Sequence, residues 1–131
     1  MTGCDQLTRG GTVLVVEDDP CVRRLASRIL GLGGYRALEA ASAGEAMRRL
    51  GEAGDTVDLV LADVHLGETS GPRLKDILAR VGSDLPVILM SGDPEALDLH
   101  CTQGGTARLF LEKPFTLACL LDAVGGALAR G

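Results

Sequence analysis

The stretch Val13-Leu14-Val15-Val16-Glu17-Asp18-Asp19-Pro20 decides how this chain is read. Four apolar residues in a row, three of them β-branched, suit a strand covered on both faces, because a half-exposed strand would alternate with polar residues. Three acids end the run. Asp19 before Pro20 then places a capping carboxylate ahead of a proline at the first helical position, where a missing N–H costs nothing. Val22, Leu25, Ala26, Ile29 and Leu30 follow at i, i+3, i+4, i+7 and i+8, the stripe of a helix with one buried face. Gly33-Gly34 sits where such a helix stops. The octet is therefore the hinge of one strand-to-helix step, with its acids at the carboxyl end of the strand.

Outward from it the same unit recurs. Leu59 to Ala62, Val87 to Met90 and Leu109 to Leu111 are further continuous apolar runs, and Arg36-Ala37-Leu38-Glu39-Ala40 is mixed, as a half-exposed edge strand would be. Helical stripes lie between and after them: Ala46, Met47 and Leu50; Leu74, Ile77, Leu78 and Val81; Leu117, Leu120, Leu121, Val124 and Leu128. Ser42-x-x-Glu45 fits a capping box, and Asp93-Pro94 repeats the Asp-Pro start. The segment from Asp93 to Gln103 has a ragged apolar face and ends at Gly104-Gly105. Five strands alternating with five helices predict an α/β, doubly wound parallel sheet with right-handed crossovers. Residues 1 to 10 read as a flexible tail and 11 to 131 as one domain.

Composition narrows the function. The chain has 131 residues, 46% of them hydrophobic, with no Trp, one Tyr and two Phe, so the core must be built from Leu, Val, Ile and Ala. A net charge of −5 argues against a sequence-independent hold on nucleic acid. Arg23, Arg24, Arg48 and Arg49 form local pairs on helices and read as solvated faces. No apolar run is long enough to span a membrane and the N-terminus lacks a signal-peptide core, so the expected place is cytoplasmic, with no membrane contact. Cys4, Cys21, Cys101 and Cys119 show no C-x-x-C spacing and read as reduced, mostly packing residues.

Chemistry in open α/β sheets collects at the carboxyl ends of the strands. Those ends carry Glu17-Asp18-Asp19 after the first strand, Asp63 after the third, Ser91 after the fourth and Lys113 after the fifth. Each has an innocent explanation alone: Asp19 caps a helix, Ser91 opens a loop, Lys113 is solvated. Their convergence on one edge is the signal. Glu17, Asp18 and Asp63 crowded together would repel, a divalent cation relieves that repulsion, and an all-oxygen site suits Mg²⁺. Lys113 adds positive charge for the same oxygens, leaving Asp63 as an in-line nucleophile toward phosphorus.

In VLVVEDDP (13 to 20), DLVLADVHLGETSG (58 to 71), PVILMSGDP (86 to 94) and LFLEKPF (109 to 115), the chain resembles the response regulator receiver domains of bacterial two-component signalling. The resemblance runs from about residue 11 to 130. It implies a flavodoxin-like (βα)5 fold with strand order 2-1-3-4-5. It also implies Asp63 as phosphoacceptor, Asp18 as direct Mg²⁺ ligand, Glu17 acting through metal-bound water and the backbone carbonyl of His65 completing the site. Ser91 and Lys113 would contact the phosphoryl group, and the Lys113–Pro114 bond would be cis. Phe110, read alone as an ordinary strand residue, would be a switch aromatic coupled to Ser91. Phosphorylation would then reshape the surface formed by the Asp93–Gln103 segment, the fifth strand and the last helix, which could also form a homodimer. The donor would be a histidine kinase or a histidine phosphotransfer protein, and the chain could equally be a free-standing receiver, a relay or a piece of a hybrid sensor kinase.

Leu66-Gly67 stand where many relatives carry Met-Pro, and His65 and Asp93 occupy positions expected to tune phosphoryl lifetime. A haloacid-dehalogenase-like phosphatase would need a carboxylate two residues after the nucleophile, where His65 stands, and a nucleophile after the first strand. A serine hydrolase lacks its glycines around Ser91. Dinucleotide binding fails because Gly31-Leu32-Gly33-Gly34 follows a helix. The binding-module rival is a receiver-shaped scaffold that is never phosphorylated, although such proteins usually lose an acid or the lysine and this chain keeps all of them.

Overall fold

The computed structural model describes residues 11–53, 57–63, 85–92 and 108–130. Within them the chain runs β1 (Thr12–Val16), α1 (Pro20–Leu32), β2 (Arg36–Ala40), α2 (Ala43–Ala53), β3 (Leu59–Asp63), β4 (Val87–Ser91), β5 (Arg108–Glu112) and α3 (Leu117–Arg130). The five strands form one parallel sheet in the order β2-β1-β3-β4-β5. This is the expected doubly wound topology. The helices expected at Leu74 to Val81 and Asp93 to Gln103 lie outside the described residues, as do the 1–10 tail, Cys4 and Cys101.

The apolar runs are continuous because both sheet faces are covered. Leu14, Val16, Val60, Ala62, Val87 and Leu89 pack on one face with Ala43, Ala46 and Leu50 of α2. Their strand neighbours Val13, Val15, Leu59, Leu61, Ile88 and Met90 pack on the other with Ala26, Ile29 and Leu30 of α1 and Leu120, Val124 and Ala127 of α3. Alternate residues thus feed two separate cores, so a polar side chain within these apolar runs would be buried on either face and would need a partner there. β2, at the edge, is buried only at Ala40.

The helix ends follow their sequence signals. Asp19 Oδ1 accepts from the amides of Cys21 (2.9 Å) and Val22 (3.5 Å), and Pro20 opens α1. At α2 the Ser42 hydroxyl accepts from Glu45 N (3.1 Å), but Glu45 returns its bond to Ala41 N (2.7 Å), one residue before the position a capping box would use. Gly34, with φ 91°, takes the left-handed turn after α1 that a side chain would resist.

Three readings are corrected by packing. Leu25 (50% exposed) and Leu117 (46% exposed) belong to the predicted stripes but face a surface groove lined also by Ile29, Leu32 and Phe115. The stripe of each helix is wider than the strip of sheet available to cover it. Cys21 and Cys119 are exposed free thiols and not buried packing residues. Asp63 and Ser91 close β3 and β4 as paired strand residues, where the sequence placed them just beyond. Of the described helices, none is long and apolar enough to cross a membrane.

Candidate functional site

Register brings the polar residues together. Val16 pairs with Ala62 across β1 and β3, so Glu17 and Asp63, each one residue further on, are level at the rim. Asp63 pairs with Met90 and Ser91 with Glu112, so Ser91 and Lys113 follow one and two steps beyond that level. At about 3.3 Å per strand residue, the group spans roughly 7 Å along the strands. Among the described residues, Glu17, Asp18 and Asp63 each offer a carboxylate oxygen within 4.8 Å of the others. Glu17 (1% exposed), Asp63 (5%) and Ser91 (0%) are buried, while Asp18 is open to solvent.

Lys113 enters this cluster from the end of β5. Its Nζ donates to Glu17 Oε1 at 2.6 Å and to Asp63 Oδ2 at 3.1 Å. Its backbone N–H donates to Ser91 O at 2.8 Å, which continues the β4–β5 ladder past the end of the strand, and the Lys113–Pro114 peptide bond is cis. Burial disfavours a lone ammonium, but the bond to Glu17 and the charges of Asp63 and Glu17 outweigh that and raise the Lys113 pKa above its ordinary value. Burial pushes the Glu17 carboxyl up to about 7. The bond from Lys113 lowers it, the neighbouring Asp63 raises it again, and the amide of Asp19 (3.2 Å to Oε2) lowers it slightly. The rim is thus an acid cluster with more negative charge than one lysine can neutralise.

One member was missed. Arg23, read as part of a solvated face, is only 16% exposed at its side chain. It donates from Nη1 to the backbone carbonyl of Glu17 (3.0 Å) and from Nε to Glu39 Oε1 (3.1 Å). Its signal was weak, because an arginine one turn into a helix beside another arginine looks like any charged surface. By contrast Arg48, with its side chain 58% exposed, pairs among the described residues with Glu45 and Glu52 of its own helix.

Of the expected site residues, Glu17, Asp18, Asp63, Ser91 and Lys113 converge. His65 and Asp93 lie outside the described residues, as do Leu66 and Gly67. Phe110 is placed in β5, paired with Leu89. The donor set fits Mg²⁺ on chemistry: all oxygen, three carboxylates, and one of them exposed where the ion's remaining waters would sit.

Residues 13–125 match the family model of the response regulator receiver domain. The chain belongs to that family. This receiver is 37% identical over 124 residues to the sensor kinase CckA of Brucella abortus (strain 2308), covering 95% of this chain and 13% of that protein. It is 32% identical over 121 residues to the DNA-binding transcriptional regulator NtrC of Rhizobium meliloti (strain 1021), covering 92% of this chain and 25% of that one. Among solved structures, the receiver domain of the hybrid histidine kinase CckA superposes with a TM-score of 0.74 at 33% identity, covering 90% of this chain and 99% of that domain. The receiver thus spans a quarter or less of the length of these two curated relatives.

Proposed function

We propose that Asp63 accepts a phosphoryl group from a phosphohistidine, on a histidine kinase or a histidine phosphotransfer protein, and that the modified receiver binds a downstream protein differently. What supports this most is the position of the Lys113 ammonium, bonded at once to Glu17 and to Asp63 at the rim of the sheet. An Asp63 oxygen forms the new bond to phosphorus while the bond from phosphorus to the donor ring nitrogen breaks. The ring leaves neutral when its other nitrogen carries a proton. Lys113 moves its bond from the Asp63 carboxylate to a phosphoryl oxygen, and Ser91, one strand over, offers its hydroxyl to another. Glu17, Asp18 and Asp63 would hold Mg²⁺, with the His65 carbonyl as a further ligand. Bound there, the ion neutralises charge on the phosphoryl oxygens. His65 and Asp93 set the hydrolysis rate, and Ser91 with Phe110 relays the change to the surface around β5 and α3. The domain, residues 11–131, is no enzyme beyond its own phosphorylation and slow dephosphorylation, and it works in the cytoplasm where such donors carry phosphohistidine.

Incubation with Mg²⁺ and acetyl phosphate, followed by intact mass, tests the reading. An added phosphoryl mass that vanishes in Asp63→Asn and without Mg²⁺ is expected. The absence of any adduct, with acetyl phosphate and with a phosphohistidine donor alike, would leave only an unphosphorylated interaction scaffold.

A further inference from the structure

Glu17 is held at four points. Its N–H donates to Ala40 O (3.0 Å) at the end of β2, and its carbonyl accepts from Arg23 Nη1 (3.0 Å). Its carboxylate accepts from Asp19 N on Oε2 and from Lys113 on Oε1. Arg23 itself is tied by Nε to Glu39, the residue before Ala40. The contacts close a ring, Glu17 to Ala40, along the chain to Glu39, across to Arg23 and back to Glu17. This ring fastens the turn bearing the acidic pair to the edge strand on one side and to the first turns of α1 on the other.

We infer that Arg23 is a positioning residue for the cation site: by holding the Glu17 carbonyl it fixes the direction in which the Glu17 and Asp18 carboxylates leave the turn. The inference rests on the proposal that these acids bind Mg²⁺. Arginine suits the task because two separate nitrogens of one rigid plane reach two acceptors on different elements, whereas lysine has one nitrogen on a flexible stem. The partly buried guanidinium also loses less to competing water than the exposed pairs of Arg48.

Charge and positioning predict opposite signs, and this makes the inference testable. Removing a cation beside an acidic site, by charge alone, tightens binding of Mg²⁺. Removing a group that orients the ligands weakens it. Mg²⁺ affinity by titration calorimetry and the melting temperature without metal should be compared for wild type, Arg23→Gln, Arg23→Lys and a control, Arg48→Gln. Expected is a loss of affinity on the order of tenfold in Arg23→Gln, the scale seen when outer partners of metal ligands are removed. Arg23→Lys, which keeps the charge, should fail to restore it, and Arg48→Gln should bind as wild type. Unchanged or tighter Mg²⁺ binding in Arg23→Gln overturns the inference, whatever happens to its melting temperature. Should Arg23→Gln not fold, Arg23→Lys decides: wild-type affinity overturns the inference and weakened affinity supports it. A wild-type protein that takes up no Mg²⁺ defeats the underlying proposal, a result distinct from tight binding that the substitutions leave untouched.

Discussion

Lys113 Nζ lies 2.6 Å from Glu17 Oε1, nearer than to the Asp63 oxygen at 3.1 Å. The lysine is the counter-charge for two buried carboxylates, and under the proposed function it would also meet the phosphoryl group. Removing one partner of a buried pair leaves an uncompensated charge, which costs more than the pair itself contributes.

Lys113→Met is accordingly expected to destabilise the metal-free protein by about 3 kcal/mol at neutral to alkaline pH. The penalty should shrink in acid, where Glu17 can protonate and no longer needs the ammonium. Urea unfolding at two pH values reads it, and equal penalties at both would show that Lys113 matters only by packing.

Glu17 supplies a second pH effect. Its folded-state pKa, raised from 4.5 to about 7, lies above the unfolded value, so folding takes up a proton. The stability this group contributes to the metal-free protein is complete below about pH 4.5 and is lost as pH rises through about 7. Mg²⁺ needs the ionised carboxylate, so binding must expel that proton. Calorimetry at about pH 6 in buffers of different ionisation heat should show proton release that fades toward about pH 8.5. Buffer-independent heats at the lower pH would contradict the raised value.

Ser91 is fully buried at the end of β4 beside β3. Ser91→Ala removes one hydroxyl and little volume, so the fold should persist. Phosphorylation of Asp63 by acetyl phosphate should slow on the order of 10²-fold, as when one donor to a developing negative charge is lost. A wild-type rate would remove Ser91 from the site.

The α1 stripe offers a contrast in stability. Leu30→Ala should cost about 2–5 kcal/mol because Leu30 has no exposed surface, whereas Leu25→Ala should cost about 0.5 kcal/mol or less. Urea midpoints of the two variants check this, and similar losses would place Leu25 in the core.

Much of this was readable beforehand. The residues from Val13 to Pro20 announce a buried strand, an acidic turn and a capped helix through local rules: β-branching, side-chain capping and the fixed φ of proline. The alternation of such units predicted the parallel sheet, and Glu17, Asp18, Asp63, Ser91 and Lys113 could be gathered at one rim because strands in a parallel sheet all end on the same side. Arg23 could not be distinguished from Arg24 or Arg48 in this way, since its two acceptors belong to the β1 turn and to β2. Leu25 could not be distinguished from Ile29, since both fit the same period.

By itself the sequence determined which of the described segments are strands and helices and which chemical groups stand at strand ends, because those follow from contacts among near neighbours in the chain. Only the tertiary structure decided which groups touch. Register between strands makes Glu17 level with Asp63, the path of β5 delivers Lys113 to both, and the packing of α1 against β2 turns an ordinary surface arginine into the clamp on Glu17. Apart from the Arg23 bond to the Glu17 carbonyl, which joins residues 6 positions apart, those contacts join residues 16 to 96 positions apart, and no local rule carries that far.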